Sequence, residues 1–184
     1  MTALLKKYKT IILVIVLGLL FSCENDISTV NIITNKDKSP TETSRNVEII
    51  YSEDADVLVK ANAPLLKRYI NDKTPYMEMP EGVKVLFYDS LKSVESSLKS
   101  NYAIYREKEK IMEARNNVEV INRKGEKLNT EHLIWNEQKE KIYSDVFVKI
   151  TTNDEILFGE GLESDQYFDK WKIKKPKGTI SVKK

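Results

Sequence analysis

The side chains that most often catalyse reactions or bind metals are scarce in this sequence, which contains one histidine, His132, and one cysteine, Cys23. A single cysteine excludes a disulfide framework and a cysteine-based zinc site, and a single histidine excludes the usual multi-histidine metal centres. No serine lies in the Gly-x-Ser-x-Gly pattern of a nucleophile elbow. The pair Gly159-Glu-Gly161 lacks the third glycine of a phosphate-binding loop. The sequence therefore predicts no metal, no cofactor and no catalytic site; a hydrolase that uses His132 as a general base is the weaker alternative.

Cys23 lies at the end of a segment with the features of a secretory signal peptide. Three lysines between residues 6 and 9 precede an apolar run over residues 11–21, which is shorter than the roughly 20 residues that a membrane-spanning helix needs. The sequence Leu20-Phe21-Ser22-Cys23 resembles the bacterial lipobox, in which the cysteine is acylated on sulfur and becomes the new amino terminus after cleavage. We therefore predict a lipoprotein signal peptide over residues 1–22 and a lipid anchor at Cys23. A short uncleaved membrane anchor with an incidental cysteine is the alternative.

The charge balance argues against binding to nucleic acid. The chain has 30 basic and 28 acidic residues, but three of the lysines belong to the segment that we predict to be removed. The mature chain then has 27 basic residues against 28 acidic ones, whereas a nucleic-acid-binding surface requires a basic excess.

The segment after Cys23 has the composition of a linker. Asn, Asp, Ser, Thr and Lys dominate residues 24–45, with one proline and little periodic hydrophobicity. We predict that residues 23–45 form a lipid-anchored tether and that residues 46–184 form the folded domain. A pair of short strands around residues 30–33 is an alternative for part of the tether.

From residue 46 onward, apolar and β-branched residues alternate with polar ones in short blocks, which is the pattern of half-buried strands. Turn-forming sequences separate these blocks, as in Pro80-Glu-Gly82, Asn116-Asn117 and Pro176-Lys-Gly178. Apolar residues at helical spacing over residues 90–114 support an amphipathic helix as a rival interpretation of that stretch.

Internal repetition favours strands over that helix. Leu98, Leu128 and Leu162 each precede a second apolar or aromatic residue by six positions. Met77-Glu and Met112-Glu each precede a Val-x-Val pair, again at a step of six. The repeats are offset by 30, 34 and 35 residues, which is the length of a strand, a turn and a returning strand, and such a period indicates stacked supersecondary units.

The stretch from about Val94 to Ile180 carries short motifs in a definite order. They are Ala114-Arg-Asn-Asn-Val-Glu-Val120, Leu128-Asn-Thr-Glu-His-Leu-Ile-Trp135, Lys141-Ile-Tyr-Ser-Asp145, Val148-Lys-Ile-Thr151 and Gly159-Glu-Gly-Leu-Glu-Ser-Asp165. Taken together they resemble the LptC family of lipopolysaccharide-export proteins and, more broadly, the OstA-like β-jellyroll superfamily that includes LptA. The resemblance covers roughly half of the chain. It implies an all-β fold, an antiparallel open β-jellyroll. The best-known members keep an N-terminal transmembrane helix, whereas this chain has the lipobox cysteine.

The resemblance implies a non-enzymatic role in lipopolysaccharide transport. In the role that the resemblance implies, this chain is a membrane-anchored periplasmic subunit that accepts lipopolysaccharide from an ABC transporter and passes it to LptA toward the outer membrane. An open jellyroll offers an apolar trough that holds the acyl chains of lipid A without a catalytic group. Our candidate trough residues are Val118, Val120, Leu133, Trp135, Val146, Val148 and Ile150.

The open strand edges of a jellyroll are its expected docking surfaces. In the family, the N-terminal edge meets the periplasmic domain of the ABC transporter permease and the C-terminal edge meets LptA. Carried over by position, these edges contain Val47, Ile49 and Tyr51 at one end and Thr179, Ile180 and Val182 at the other. The implied location is the periplasmic side of the inner membrane, with sorting to the outer membrane as the alternative. The competing function is a structural envelope lipoprotein that scaffolds a complex and binds no lipid.

Overall fold

The computed structural model of the protein describes residues 39–70 and 73–182, which contain eleven β-strands and no helix. The strands are β1 (Glu42–Glu53), β2 (Asp56–Tyr69), β3 (Tyr76–Met79), β4 (Val83–Tyr88), β5 (Val94–Ser100), β6 (Tyr102–Arg106), β7 (Ile111–Asn122), β8 (Lys127–Asn136), β9 (Lys141–Thr151), β10 (Glu155–Asp165) and β11 (Trp171–Ser181). The rival helix over residues 90–114 is absent, because this stretch forms β5, β6 and the start of β7. The all-β prediction is confirmed.

All neighbouring strands pair antiparallel in one sheet, whose order is β11-β10-β9-β8-β7-β5-β4-β2-β3-β6, with β1 beside β2 and β6 also beside β7. β2 pairs with β4 through residues 59–62 and with β3 through residues 67–69. β7 pairs with β6 through residues 111–115 and with β5 through residues 119–122. The sheet therefore divides into two facing layers, as in an antiparallel β-jellyroll. We call them the β4 layer, with β4 and β5, and the β6 layer, with β3 and β6; the long strands continue through both.

The long strands pass from one layer to the other at bulges, which bend a strand and increase its twist. In β7, Asn116 and Asn117 have positive φ angles of 63° and 53°, and the register with β8 shifts there. Asparagine adopts this left-handed conformation more readily than most residues. The pair predicted as a turn is therefore a bulge inside a strand. Beside it, the Thr130 hydroxyl donates to the Phe147 carbonyl oxygen at 2.8 Å, which satisfies polar groups at the bend.

The inward faces of the two layers form one apolar core. Leu128, Val148, Ile150 and Leu162 are completely buried. The alternation that groups Val146 with Val148 fails, because β9 has an extra residue where its register with β10 shifts. Val146 is 36% exposed, so its prediction as an inward-facing residue is wrong.

The folded domain begins earlier than the predicted boundary at residue 46. β1 starts at Glu42, which pairs with Arg68, so residues 42–45 of the predicted tether belong to the sheet. The predicted signal peptide, Cys23 and the tether up to residue 38 lie outside the described residues. In the part of the chain that the structure describes, no helix has the length and hydropathy to cross a membrane.

Val148 and Val146 provide a matched test of this packing. Val148→Ala is expected to lower the free energy of unfolding by about 2 kcal/mol, because it leaves a cavity in a sealed core. Val146→Ala, the same change two positions away in β9, is expected to alter it by no more than about 0.5 kcal/mol. Urea unfolding of the folded domain measures both through the transition midpoint. Equal losses in the two variants would contradict the described register of β9.

Candidate functional site

A cavity of about 500 Å³ lies between the two layers, in the part of the sheet built from β1–β4 and β6–β8. Its lining is mainly apolar: Ile49, Leu58, Val59, Ala61, Met77, Met79, Val83, Val85, Phe87, Tyr105, Met112, Trp135 and Tyr167. Both layers and the β1–β2 pair contribute to it. A cavity of this volume is within the range of roughly 300–1,000 Å³ typical of ligand pockets.

One cross-strand row supplies the β6-layer wall of the cavity. Met77, Tyr105, Met112 and Trp135 lie opposite one another on β3, β6, β7 and β8. They face the same side because side chains directly opposite each other in antiparallel strands share a face. Methionine is unbranched and flexible, so this wall can adapt to apolar ligands of different shape.

Three aromatic rings form one end of the cavity. Phe87 makes edge contacts with Trp135 and Tyr167, with ring centroids 5.1 Å and 6.4 Å apart. The Trp135 indole Nε1 donates to Gln166 Oε1 at 3.3 Å. This bond satisfies the indole N–H and fixes the orientation of the ring, and Gln166 also lines the cavity at this end.

Charged groups surround the apolar lining at the rim. The Tyr105 hydroxyl donates to Glu137 Oε2 at 2.6 Å, and Lys110 Nζ lies 3.6 Å from Glu137 Oε1. Burial and the hydrogen bond to Glu137 raise the pKa of Tyr105 above its ordinary value, so its hydroxyl stays protonated. An apolar interior with a polar rim suits an amphipathic ligand.

The structure divides the predicted trough residues into three groups. Trp135 lines the cavity. Val146 is exposed, as described above. The remaining residues, Val118, Val120, Leu133, Val148 and Ile150, lie in the sealed core with exposures of 2% or less. The sequence interpretation missed the cavity methionines, although the repeat of Met-Glu at residues 77 and 112 was a signal that they occupy equivalent positions.

The predicted partner edges are edges of the sheet. Within the described residues, β1 pairs with β2 alone and β11 with β10 alone, so each leaves one side unpaired. Val47 and Ile49 pack partly against the core, whereas Tyr51 and Ile180 are 44% and 56% exposed. Thr179, at the other end, is also exposed, and Val182 follows β11 and donates its N–H to the Asp154 carbonyl oxygen at 2.8 Å.

The two edges differ in charge. β1 carries three glutamates and one arginine, namely Glu42, Glu48, Glu53 and Arg45. β11 carries four lysines and no acidic residue, namely Lys172, Lys174, Lys175 and Lys177. The N-terminal edge is therefore acidic and the C-terminal edge basic.

His132 lies in an ion network on the outer face of the β6 layer. Its Nε2 is 2.8 Å from Glu113 Oε1 and its Nδ1 is 2.9 Å from Asp145 Oδ1. The ring therefore contacts one carboxylate on β7 and one on β9. Among the described residues, no serine hydroxyl is bonded to His132 and no cluster of His, Cys, Asp or Glu fits a metal ion. The geometry is that of a structural bridge between strands.

Glu113 is the centre of this network. Arg115 Nε donates to its Oε1 at 2.9 Å, and both terminal nitrogens of Arg106 lie 3.3 Å from its Oε2. Burial by itself raises the pKa of Glu113, but the hydrogen bonds from Arg115 and His132 outweigh it and hold the pKa below the ordinary value of 4.5.

The chain also matches a known protein family. A family model described as LptC, "Lipopolysaccharide-assembly, LptC-related", matches residues 10–174, which is most of the chain. A search of curated proteins found no significant match.

The Glu113 network predicts a component of stability that depends on pH. Because the pKa of Glu113 is lowered by folding, its contribution is present above pH 4.5 and is lost as the pH falls through the lowered pKa. Glu113→Gln is expected to cost about 1–2 kcal/mol at neutral pH, and the gap to wild type should narrow in acid. Asp145→Asn is the control, because that carboxylate is 76% exposed and its loss should cost less than about 0.5 kcal/mol. Urea unfolding at neutral and acidic pH measures both, and a gap that widens in acid would refute the role of Glu113.

Proposed function

The chain belongs to the LptC-related family of lipopolysaccharide-assembly proteins and takes part in lipopolysaccharide transport, and we propose that it holds the acyl chains of lipopolysaccharide in the cavity between its two layers. The apolar cavity is the observation that carries this proposal. Burial of each CH2 group contributes about 0.8 kcal/mol, which is enough to keep a long acyl chain out of water. The attraction has no preferred direction, so a bound chain can slide along the lining.

The rim of the cavity suits the polar part of the same molecule. Lys110 lies at the rim. Arg68, which lies opposite Met77 in the β2–β3 pair, is held by a bidentate pair with Glu107 at 2.9 Å and 3.2 Å. The bound orientation of lowest free energy has the acyl chains in the cavity and the headgroup in water, because burying a charged headgroup without a partner is unfavourable. The proposed binding mode needs no catalytic group.

Each of the two edge strands is the proposed docking surface for one partner. The unpaired side of β1 docks on the periplasmic domains of the ABC transporter permease, and the unpaired side of β11 docks on an LptA-like jellyroll. Each contact adds strands to a continuous sheet through backbone hydrogen bonds. The acidic β1 fits a basic edge and the basic β11 fits an acidic one, so charge favours one direction of assembly. The transporter's ATP hydrolysis drives the uphill movement.

The anchor belongs to the same proposal. Residues 1–22 are a lipoprotein signal peptide, Cys23 is acylated, and the following segment tethers the domain to the periplasmic side of the inner membrane. Two or more acyl chains at about 0.8 kcal/mol per buried CH2 make a firm anchor. Sorting to the outer membrane is the alternative.

A second candidate function is a lipoprotein that scaffolds an envelope complex through its edges and binds no lipid. One observation favours it: the predicted trough residues on β7, β8 and β9 are mostly sealed core. The two candidates differ in whether lipid reaches the cavity.

Photocrosslinking in intact cells tests the cavity. A photoreactive residue at Met77 or Met112 is expected to trap lipopolysaccharide, because both side chains line the cavity. The same residue at Phe147, which is 51% exposed on another part of the surface, is the control for non-specific contact with lipid and should trap none. A transporter variant unable to hydrolyse ATP should abolish the adducts. If the variants fold and Met77 traps no more lipid than Phe147, the scaffold function is the correct one.

Charge neutralisation tests the C-terminal edge. Lys172→Gln combined with Lys175→Gln is expected to weaken binding of an LptA-like jellyroll roughly fivefold at low salt, and the loss should shrink at high salt because exposed charges are screened. Lys84→Gln combined with Lys99→Gln is the matched control, since these lysines lie opposite each other on β4 and β5, away from β11. Binding of the purified domains measures both, and equal losses would exclude β11 as the docking edge.

A further inference from the structure

The cavity does not extend along the whole sheet, because the turn between β10 and β11 fills the space next to it. We call residues 166–170 of this turn the strap. Phe168 is completely buried and stacks on Trp171 with ring centroids 6.1 Å apart. Tyr167 lines the end of the cavity and contacts Phe87. The strap therefore places two aromatic rings between the cavity and the strands beyond it.

The strap is bonded to residues that precede and follow β8 in the chain. Near the start of β8, Asn122 Nδ2 donates to the Phe168 carbonyl oxygen at 2.8 Å, and Lys124 Nζ lies 3.0 Å from Asp169 Oδ1. Near the end of β8, the Gln166 N–H donates to the Glu140 carbonyl oxygen at 2.9 Å. Because β8 bends in its middle, its two ends lie in different layers. We call the space between the two layers the trough. The strap therefore crosses the open side of the trough from the β4 layer to the β6 layer.

Phe168 adopts an unfavourable backbone conformation in the strap. Its φ angle is 60°, which is rare for a bulky residue, and such a conformation persists only where the surrounding contacts hold it. Here the burial of the ring and the bond from Asn122 hold it.

We propose that the strap is a gate, and that lipopolysaccharide moves from the cavity toward β11 only when the strap swings out of the trough. The inference rests on the function proposed above and follows from the shape of the ligand. A molecule with its acyl chains inside and its headgroup outside must pass through the open side at every point of its path. A segment that crosses the open side blocks that path, whatever the affinity of the lining. Beyond the strap, Leu157 on β10 packs partly against the core, and Thr179 lies directly opposite it on β11 and therefore shares its face of the sheet.

Locking the strap tests this gate in the full-length, membrane-inserted chain with its transporter. Lys124→Cys and Asp169→Cys, joined by a short bismaleimide, hold the strap to the β4 layer. The control pair is Lys84→Cys and Lys99→Cys, which the sheet already holds opposite each other. A photoreactive residue at Met77 traps lipopolysaccharide in the cavity, and one at Thr179 traps lipopolysaccharide that has passed the strap. The unfolding temperature of each cross-linked protein shows that the domain is intact.

With the strap locked, adducts at Met77 are expected to persist while adducts at Thr179 fall to background, and the control pair should leave both unchanged. Adducts at Thr179 that survive locking at their unlocked level would overturn the gate. Absence of adducts at Met77 in the chain without cross-linker would instead refute lipid binding in the cavity, so the two failures are distinguishable.

A second variant loosens the strap, whereas the cross-link locks it. Asp169→Asn weakens the ion pairs to Lys124 and Arg123, whose nitrogens lie 3.0 Å and 3.7 Å from the carboxylate. The ratio of adducts at Thr179 to those at Met77 should rise roughly twofold, as expected for weakening partly exposed ion pairs. Asp154→Asn, the same change in the exposed turn between β9 and β10, should leave the ratio unchanged. An equal ratio in the two variants would overturn the role of Asp169 in holding the strap in place.

Discussion

The structure depends on the bends that let one sheet cover its own apolar face. A single flat sheet of these strands would leave the apolar face of Val148 and Ile150 in water. The bulges at Asn116-Asn117 in β7 and before Val148 in β9 carry the strands from one layer into the other without ending the backbone pairing. The two apolar faces therefore cover each other, and the β-jellyroll follows from this closure.

The closed fold uses its apolar interior in two ways. Around Val118, Val148 and Leu162 the inward side chains are completely buried and packed together, which stabilises the domain. Around β3, β4 and β6 the interior is lined by methionine and aromatic residues and retains a cavity. Apolar contacts are non-directional, so they hold an acyl chain without deciding where it goes. In the functions proposed above, the position of the lipid is decided by directional groups, which are the charged rim and the hydrogen bonds and ion pairs of the strap.

The two edges give the domain a direction. Unpaired backbone on β1 and β11 could in principle pair with many strands, since backbone hydrogen bonds carry no sequence information. The acidic residues of β1 and the lysines of β11 restrict the choice of partner by charge, and they also reduce unwanted pairing between like edges. In the proposed function, this asymmetry orients the path from the transporter to the next jellyroll.

The sequence alone determined the strands, the all-β class and the family, because alternation and motif order are local properties that survive without coordinates. It also supported a structural role for His132, whose ring bridges Glu113 and Asp145. Only the tertiary structure decided which inward residues seal a core and which line a cavity: Val118 and Met112 both face inward, yet one has no space beside it and the other does. One extra residue at a bulge also moved Val146 outward, since every shift of register by one residue exchanges the two faces of a strand. The strap could not be predicted from the sequence either, because its bonds join residues that are distant along the chain, such as Asn122 and Phe168, which are 46 positions apart.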